Sequence, residues 1–170
     1  MSNAVRMTNA KASGKLQVTT PSDREIAMTR EFDAPRRLVY DALTKPELVK
    51  RWLGVFGKHT MSVCEIDLRV GGKYRYVWST PNQPDMGMGG VYQEIVPQQR
   101  IVSTEKFDEA WYPGEALDTI TLVEKDGRTT MTTTVEYESK EARDGVLKSG
   151  MSSGVAASYD TLDGVLNTLR

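Results

Sequence analysis

Residues 32–54 read FDAPRRLVYDALTKPELVKRWLG, and this segment predicts two short helices that follow one another directly. Asp33 can cap the first helix, and Pro35 suits its first turn because the missing N–H would be unpaired there anyway. Thr44 and Glu47 have the spacing of a capping box, which predicts that the second helix begins at once. Two small helices are therefore expected between residues 33 and 54.

The segment before the helices predicts a strand and a tail. Residues 24–32 (REIAMTREF) alternate between polar and apolar side chains, as in a half-buried strand with one mixed position at Arg30. Residues 1–22 are small and polar, and we expect them to form a flexible N-terminal tail. Residues 23–170 would then form a single domain.

The segment after the helices has the two-residue period of strands. Asp126-Gly127 is a strong signal for a two-residue hairpin loop. With that loop, Leu122 lies opposite Met131, and the inward face of the hairpin includes Ile120 and Val135. Six strands are predicted in this part of the chain, over residues 59–70, 73–79, 91–96, 100–107, 117–124 and 129–137. The inward faces of the strands at 91–96 and 100–107 are left unassigned.

From Lys140 to Leu169 the apolar residues follow helical spacing, which predicts one long amphipathic helix. Gly150 and Gly154 lie one turn apart on it, at a cost of roughly 1 kcal/mol each relative to Ala. The order β-α-α-β6-α predicts an α+β fold with a seven-stranded curved antiparallel sheet around the C-terminal helix. Because one helix is about 10–12 Å across, we expect a hollow between it and the sheet.

Composition excludes several classes of function. The 170 residues carry a formal net charge of −1 with no basic stripe, so nucleic acid and membrane surfaces are not expected partners. No apolar run approaches the roughly 20 residues that span a bilayer. One Cys and one His give neither a disulfide nor a usual zinc site, so we expect a cytoplasmic protein without metal or cofactor. We expect His59 at the surface or at the start of a strand, and Cys64 buried and inert.

Four motifs resemble a known family: TREFDAPRRLVYDALTKPELVKRWLG, VCEIDLRVGGKYRYVW, GGVYQEIVPQQRIVSTEKFD and EARDGVLKSGM. Together they resemble proteins similar to the C-terminal part of the activator of heat-shock protein 90 ATPase. That family belongs to the START-like (SRPBCC) superfamily, and the resemblance implies the helix-grip fold. The superfamily includes lipid carriers, hormone receptors and cyclases, so the resemblance does not imply one function.

The sequence departs from the family pattern at three positions. Leu53 stands where the family often has a second Trp, Val55 where it often has Pro, and Val155 where it often has an aromatic residue. The smaller residues leave the ligand preference open. The family name suggests a stress-response role, but bacterial members are mostly single domains without a chaperone-binding partner domain, and we expect no room for one in this chain.

The prediction is that the hollow binds a hydrophobic or amphipathic small molecule, lipid-like or polyketide-like, without catalysis. Asp118 and Thr133 would be polar anchors, although Asp118 near its strand start could instead lie solvated at the sheet rim. The aromatic residues could also be simple core filler. The predicted lining residues are Trp52, Ile66, Leu68, Tyr74, Tyr76, Trp78, Asp118, Ile120, Leu122, Thr133, Val135, Met151 and Val155.

Two alternatives remain open. One is a cyclase-like or hydrolytic enzyme, which needs at least two titratable groups in the hollow, of which the sequence names only Asp118. The other is a protein-interaction module, such as a chaperone-ATPase regulator with an exposed patch around Trp111. Loop residues Met86 and Met88 could gate the hollow, form a dimer contact or equally pack back on the domain, so both a monomer and a homodimer are compatible with the sequence.

Overall fold

The computed structural model describes residues 14–170. They form an α+β structure in which an eight-stranded antiparallel sheet, in the order β1-β2-β8-β7-β6-β5-β4-β3, is covered on one face by helices. The elements are β1 (Gln17–Thr19), β2 (Glu25–Phe32), α1 (Arg36–Thr44), α2 (Pro46–Val49), β3 (Thr60–Ile66), β4 (Lys73–Ser79), β5 (Met86–Val96), β6 (Arg100–Phe107), β7 (Ala116–Lys125), β8 (Arg128–Glu136), α3 (Lys140–Lys148) and α4 (Met151–Thr168).

The strand order agrees with the helix-grip prediction, but the sheet has one more strand than predicted. Residues 1–13 lie outside the described residues, so the prediction of a flexible tail is tested only over its last part. There, Gln17–Thr19 pair with residues 27–29 of β2 as an edge strand. The segment has too few apolar residues to show this in the sequence, because its pairing depends on backbone hydrogen bonds rather than on burial.

The β7–β8 hairpin has the predicted register. Lys125 pairs with Arg128, and Leu122 pairs with Met131. The loop residues Asp126 and Gly127 have φ angles of 53° and 75°, the left-handed values that a type I′ turn requires. β8 also pairs with β2 along the full length of β2, so the N-terminal strand joins the sheet through the last strand of the chain.

Both small helices are present, but the predicted caps are wrong. Pro35 is the residue before α1, and no side chain caps that helix. Asp33 instead lies 3.1 Å from Arg170 and 3.5 Å from Arg128. Thr44 belongs to the last turn of α1, where its hydroxyl donates to the carbonyl of Tyr40. It therefore cannot cap α2.

The predicted single C-terminal helix is two helices. Gly150 has a φ of 77° and separates α3 from α4. A left-handed residue cannot continue an α-helix, and glycine adopts this conformation without a steric cost. The break explains one of the two glycines that the helical pattern left unexplained.

The C-terminal half of α4 is held tightly against the sheet. Leu162 and Leu166 are fully buried against Phe32 of β2. The guanidinium of Arg30 lies 2.7 Å from Asp160 and 5.3 Å from the centre of the Phe32 ring. The first half of α4 has no buried residue before Ser158. It therefore stands over the part of the sheet that is not filled.

Candidate ligand cavity

A cavity of about 300 Å³ lies between the sheet and the first half of α4. Its volume is at the lower end of the range of small-molecule sites. The wall is formed mainly by aromatic and aliphatic side chains from all strands except β1 and β3 and from all four helices. The hollow that the sheet curvature predicts is therefore present.

Nine of the thirteen predicted lining residues border the cavity. They are Trp52, Tyr74, Tyr76, Asp118, Ile120, Thr133, Val135, Met151 and Val155. Ile120 and Asp118 are only partly buried, because their side chains face the space of the cavity rather than a packed neighbour. The faces assigned to β4, β7 and β8 from the sequence are the faces that the structure shows.

The other four predicted residues lie elsewhere. Leu68 follows the end of β3 and is 39% exposed, so its place in a strand was wrong. Ile66 packs against the aromatic cluster around Tyr74, because β3 is the edge strand on that side. Leu122 is buried in the packed core beneath α4. Trp78 donates from Nε1 to the carbonyl of Leu53, 2.8 Å away, and lies outside the cavity.

Asp118 lies in the wall of the cavity and not at a solvated rim. It pairs with Ser103 on β6, so Glu105, two residues further along β6, is its diagonal neighbour on the same face. Glu105 also lines the cavity. Two carboxyl groups therefore face one enclosed apolar space.

Burial changes the protonation of this acid pair. Desolvation raises the pKa of Asp118 well above its usual range, and the nearby charge of Glu105 raises it further. Desolvation also raises the pKa of Glu105, and interactions with Asp118 and Tyr112 offset part of that increase. Two carboxylates in one site repel each other, so the pair holds a proton at pH values where exposed carboxyls have lost theirs.

Two polar atoms at the cavity are buried without compensation. The first is the hydroxyl oxygen of Tyr112, which lies near the Glu105 carboxyl, and the second is Oδ1 of Asp118. Neither atom meets a partner in hydrogen-bonding geometry within residues 14–170. An uncompensated buried polar group costs about 1–3 kcal/mol, so both atoms offer sites for a ligand group.

Other polar groups of the cavity are already paired. The Thr133 hydroxyl lies 3.2 Å from the Tyr159 hydroxyl, so this predicted anchor has a protein partner. The Tyr74 hydroxyl donates to the carbonyl of Thr104 over 2.6 Å. These bonds fix the orientation of the two tyrosine rings. Among the described residues, free hydrogen-bonding capacity in the cavity therefore lies at the end formed by Asp118.

The mouth of the cavity lies beside the start of α4. An open depression there shares Leu53, Phe107, Met151 and Val155 with the cavity. Gly154 borders the depression, and a Cβ added to it would lie 3.9 Å from Cζ of Phe56. The second unexplained glycine thus keeps side-chain atoms out of the mouth.

Trp111 belongs to the cavity wall as well as to the surface. It is 47% exposed, but its ring lies edge-on to Phe107 and Tyr112, with centroids 5.7 Å and 5.1 Å away. The prediction that Met86 and Met88 lie in a loop is wrong, because β5 begins at Met86. Met88 is a buried lining residue, and Met86 is 50% exposed beside the mouth.

Sequence reasoning missed Glu105, Tyr112 and Tyr92 as lining residues. β6 reads RIVSTEKF, in which both faces carry apolar residues, so neither face stands out as the inward one. β5 also has a register irregularity between Tyr92 and Glu94. The signal that would have revealed Glu105 is its pairing with β7, but the loop of residues 108–115 is too long to fix that register.

The remaining reactive side chains are not part of the cavity. Nδ1 of His59 lies 2.6 Å from the Thr80 hydroxyl, just before β3. Cys64 is half-buried, and burial raises the pKa of its thiol to about 11, which keeps it protonated. Within residues 14–170, no three His, Cys, Asp or Glu side chains come together in a cluster that could hold a metal.

A comparison with protein-family models matches residues 33–167 to the family described as activator of Hsp90 ATPase homolog 1-like protein. The chain belongs to this family. The match runs from the small helices to the end of α4, and it confirms the resemblance that the sequence motifs carry. A comparison with curated protein sequences gives no match.

Solved structures agree with the family. A protein from Rhodobacter sphaeroides is 30% identical, with a TM-score of 0.85 over 91% of this chain and 99% of the other. A Nitrosomonas europaea protein is 25% identical, with a TM-score of 0.76 over 89% and 100%. A Chromobacterium violaceum protein is 28% identical, with a TM-score of 0.71 over 85% and 98%.

The fold of this family commonly binds hydrophobic ligands. Among residues 14–170, no helix is both long enough and apolar enough to cross a membrane.

Proposed function

We propose that the protein binds a hydrophobic or amphipathic small molecule in the cavity between the sheet and α4. The observation that carries the proposal is the combination of an enclosed apolar space of about 300 Å³ with an unpaired oxygen of Asp118 in its wall. The apolar wall supplies affinity, and the few polar groups fix the orientation of the ligand.

Native mass spectrometry of the gently purified protein tests the proposal. A bound small molecule adds a discrete mass that disappears when the protein is denatured, and that mass identifies the ligand class. The proposal is abandoned if no small molecule co-purifies and the protein also fails to bind N-phenyl-1-naphthylamine, a neutral apolar fluorophore.

Glu105 supports a second candidate, acid–base catalysis in the same cavity. The sequence named only Asp118, whereas the structure brings a second titratable carboxyl to the same face. Two carboxyls with different proton affinities are the groups that general acid–base chemistry needs. Asp118→Asn separates the two candidates, because it abolishes turnover of a substrate but leaves the apolar contacts of a carrier in place.

A further inference from the structure

The charges that line the cavity are all of one sign. Among the described residues of its wall, Asp118 and Glu105 are acidic, and no Lys, Arg or His is present. Arg30 of β2, whose charge acts on Tyr159, is paired with Asp160. A ligand carboxylate or phosphate would thus be buried beside two carboxyls without a counter-ion, which is costly.

The acid pair is surrounded by aromatic rings. The charge of Asp118 acts on Tyr74 of β4 and on Tyr159 of α4. It also acts on Tyr112, which precedes β7, and on Tyr137, which follows β8. Aromatic faces attract cations, and more strongly where water is excluded. The aromatic residues of the wall are Trp52, Tyr74, Tyr76, Tyr92, Phe107, Trp111, Tyr112, Tyr137 and Tyr159.

The unpaired polar atoms lie at this same end of the cavity. Tyr112 is only 6% exposed, and its hydroxyl and Oδ1 of Asp118 lack partners in hydrogen-bonding geometry in the described chain. A carboxylate oxygen accepts hydrogen bonds, and a phenol oxygen accepts as well as donates. A group with several N–H donors fits both atoms.

We propose that the cavity selects hydrophobic ligands that carry a protonated amine, with the ammonium group held by Asp118 and Glu105 and enclosed by the aromatic rings. This inference rests on the proposed function, because it names the chemical class of ligand for the same cavity. Charge-assisted hydrogen bonds are about twice as strong as neutral ones, so an amine should be preferred over an alcohol of the same shape.

Three matched probes test the selectivity: 4-phenylbutylamine, 4-phenylbutan-1-ol and 4-phenylbutyrate. Each displaces N-phenyl-1-naphthylamine from the wild-type protein, with fluorescence as the readout. The expected order is amine first, by about tenfold or more over the alcohol, with the carboxylate weakest. Equal or tighter binding of the alcohol, or tighter binding of the carboxylate, overturns the inference.

Variants locate the selectivity at the acid pair. Asp118→Asn combined with Glu105→Gln should remove the preference for the amine, measured as the ratio of the amine and alcohol affinities of that variant. Glu65→Gln, which changes an exposed carboxylate on β3, should leave the preference intact. A double variant that keeps the preference overturns the inference. Circular dichroism checks that each variant is folded, and the single variants replace the double one if it is not.

A pH series gives a test that needs no variant. The amine binds beside an ionised carboxyl, so its binding releases the proton of the acid pair. Its affinity should therefore rise as the pH increases from about 4, the ordinary carboxyl pKa, to about 9, where the amine itself is still charged. The groups that face Asp118 are Glu105, Tyr74, Tyr76, Tyr112, Tyr137 and Tyr159.

The tyrosine pKa values are all raised, so these side chains remain neutral in that range. An amine affinity that is flat or falls with pH overturns the inference. Failure of the fluorophore to bind, together with the absence of a co-purifying small molecule, overturns the proposed function, whereas fluorophore binding without amine preference overturns only the amine selectivity.

Discussion

Asp118 is an ionisable side chain in a place where ionisation is costly. Its carboxyl is enclosed with Glu105, and its pKa is raised by burial first and by the Glu105 charge second. The folded protein therefore holds a proton that the unfolded chain, with a carboxyl pKa of about 3.9, has already lost. The contribution of Asp118 to the free energy of unfolding is fully present below that pH and is lost as the pH rises through the folded-state pKa.

Replacing Asp118 by Asn should remove this pH dependence, because the amide stays neutral. The melting temperature of Asp118→Asn relative to wild type should thus increase as the pH rises above about 4. Thermal melts followed by circular dichroism across a pH series measure the difference. Glu65→Gln is the control, and parallel curves for wild type and Asp118→Asn would contradict the prediction.

At the residue scale, the sequence predicted the position of a side chain where a short turn fixed its partner. Asp126-Gly127 set the register, and the register placed Ile120, Thr133 and Val135 on the cavity face. It did not place Glu105, because no short turn joins β6 to β7. It also left open whether Asp118 meets water, since this depends on the loop that carries Tyr112.

Glycine positions show how one residue type serves different purposes at the scale of elements. Gly127 has a φ of 75° in the β7–β8 turn, whereas Gly164 lies inside α4, and a Cβ at either position meets nothing within 4 Å. Backbone conformation is therefore what differs between the two sites.

The same substitution should have opposite effects at these two glycines. Gly127→Ala should lower the free energy of unfolding by about 1–2 kcal/mol, because a Cβ disfavours left-handed backbone. Gly164→Ala should raise it by about 0.5–1 kcal/mol, because alanine favours helix. Urea denaturation measures both, and a change of the same sign at the two positions would be inconsistent with this account.

A third glycine controls the mouth of the cavity. Gly154→Phe should slow ligand association several-fold, because the new ring would occupy the depression beside Phe56. Gly154→Ala is the matched control, since its Cβ would make only an ordinary contact there. Stopped-flow fluorescence with N-phenyl-1-naphthylamine gives the rates, and equal rates for both variants would place the mouth elsewhere.

Elements were predictable where a periodic pattern met a strong stop signal. The strands from β2 to β8 and both small helices follow such patterns. β1 was missed because an edge strand of three residues, with Val18 as its one apolar side chain, has almost no pattern. The break at Gly150 was missed because the apolar spacing continues through it, and only the backbone angle distinguishes a break from a glycine within a helix.

At the scale of the whole molecule, the cavity is a gap in the packing between sheet and helix, and ligand binding would explain why it is there. Ile120 faces it and has free space beside its side chain, whereas Leu122, the next inward residue on β7, is 4% exposed in the packed core. The fold-level prediction of a hollow held because one helix cannot fill a curved sheet of this size. Its boundary with the packed core was not predictable, since both residues are apolar and inward-facing.

Filling the two places should therefore have different results. Ile120→Phe should keep or raise stability, by up to about 1 kcal/mol, and weaken ligand binding. Leu122→Phe should destabilise by about 1–3 kcal/mol, because the core has no room for a larger ring. Thermal melts and fluorophore titration measure both, and retained binding in Ile120→Phe would show that ligands use another site.

The pairing of β2 with β8 also constrains how the chain is made. Ile26 pairs with Val135, so most of the domain separates two neighbouring strands. A ribosome adds roughly 5–20 residues per second, so β2 waits several seconds for its partner during synthesis. Throughout that time an apolar strand has an unprotected edge, which favours pairing with other chains. Expression at lower temperature or with more chaperone should accordingly increase the yield of folded protein, although the finished domain has no unpaired central strand in its described part.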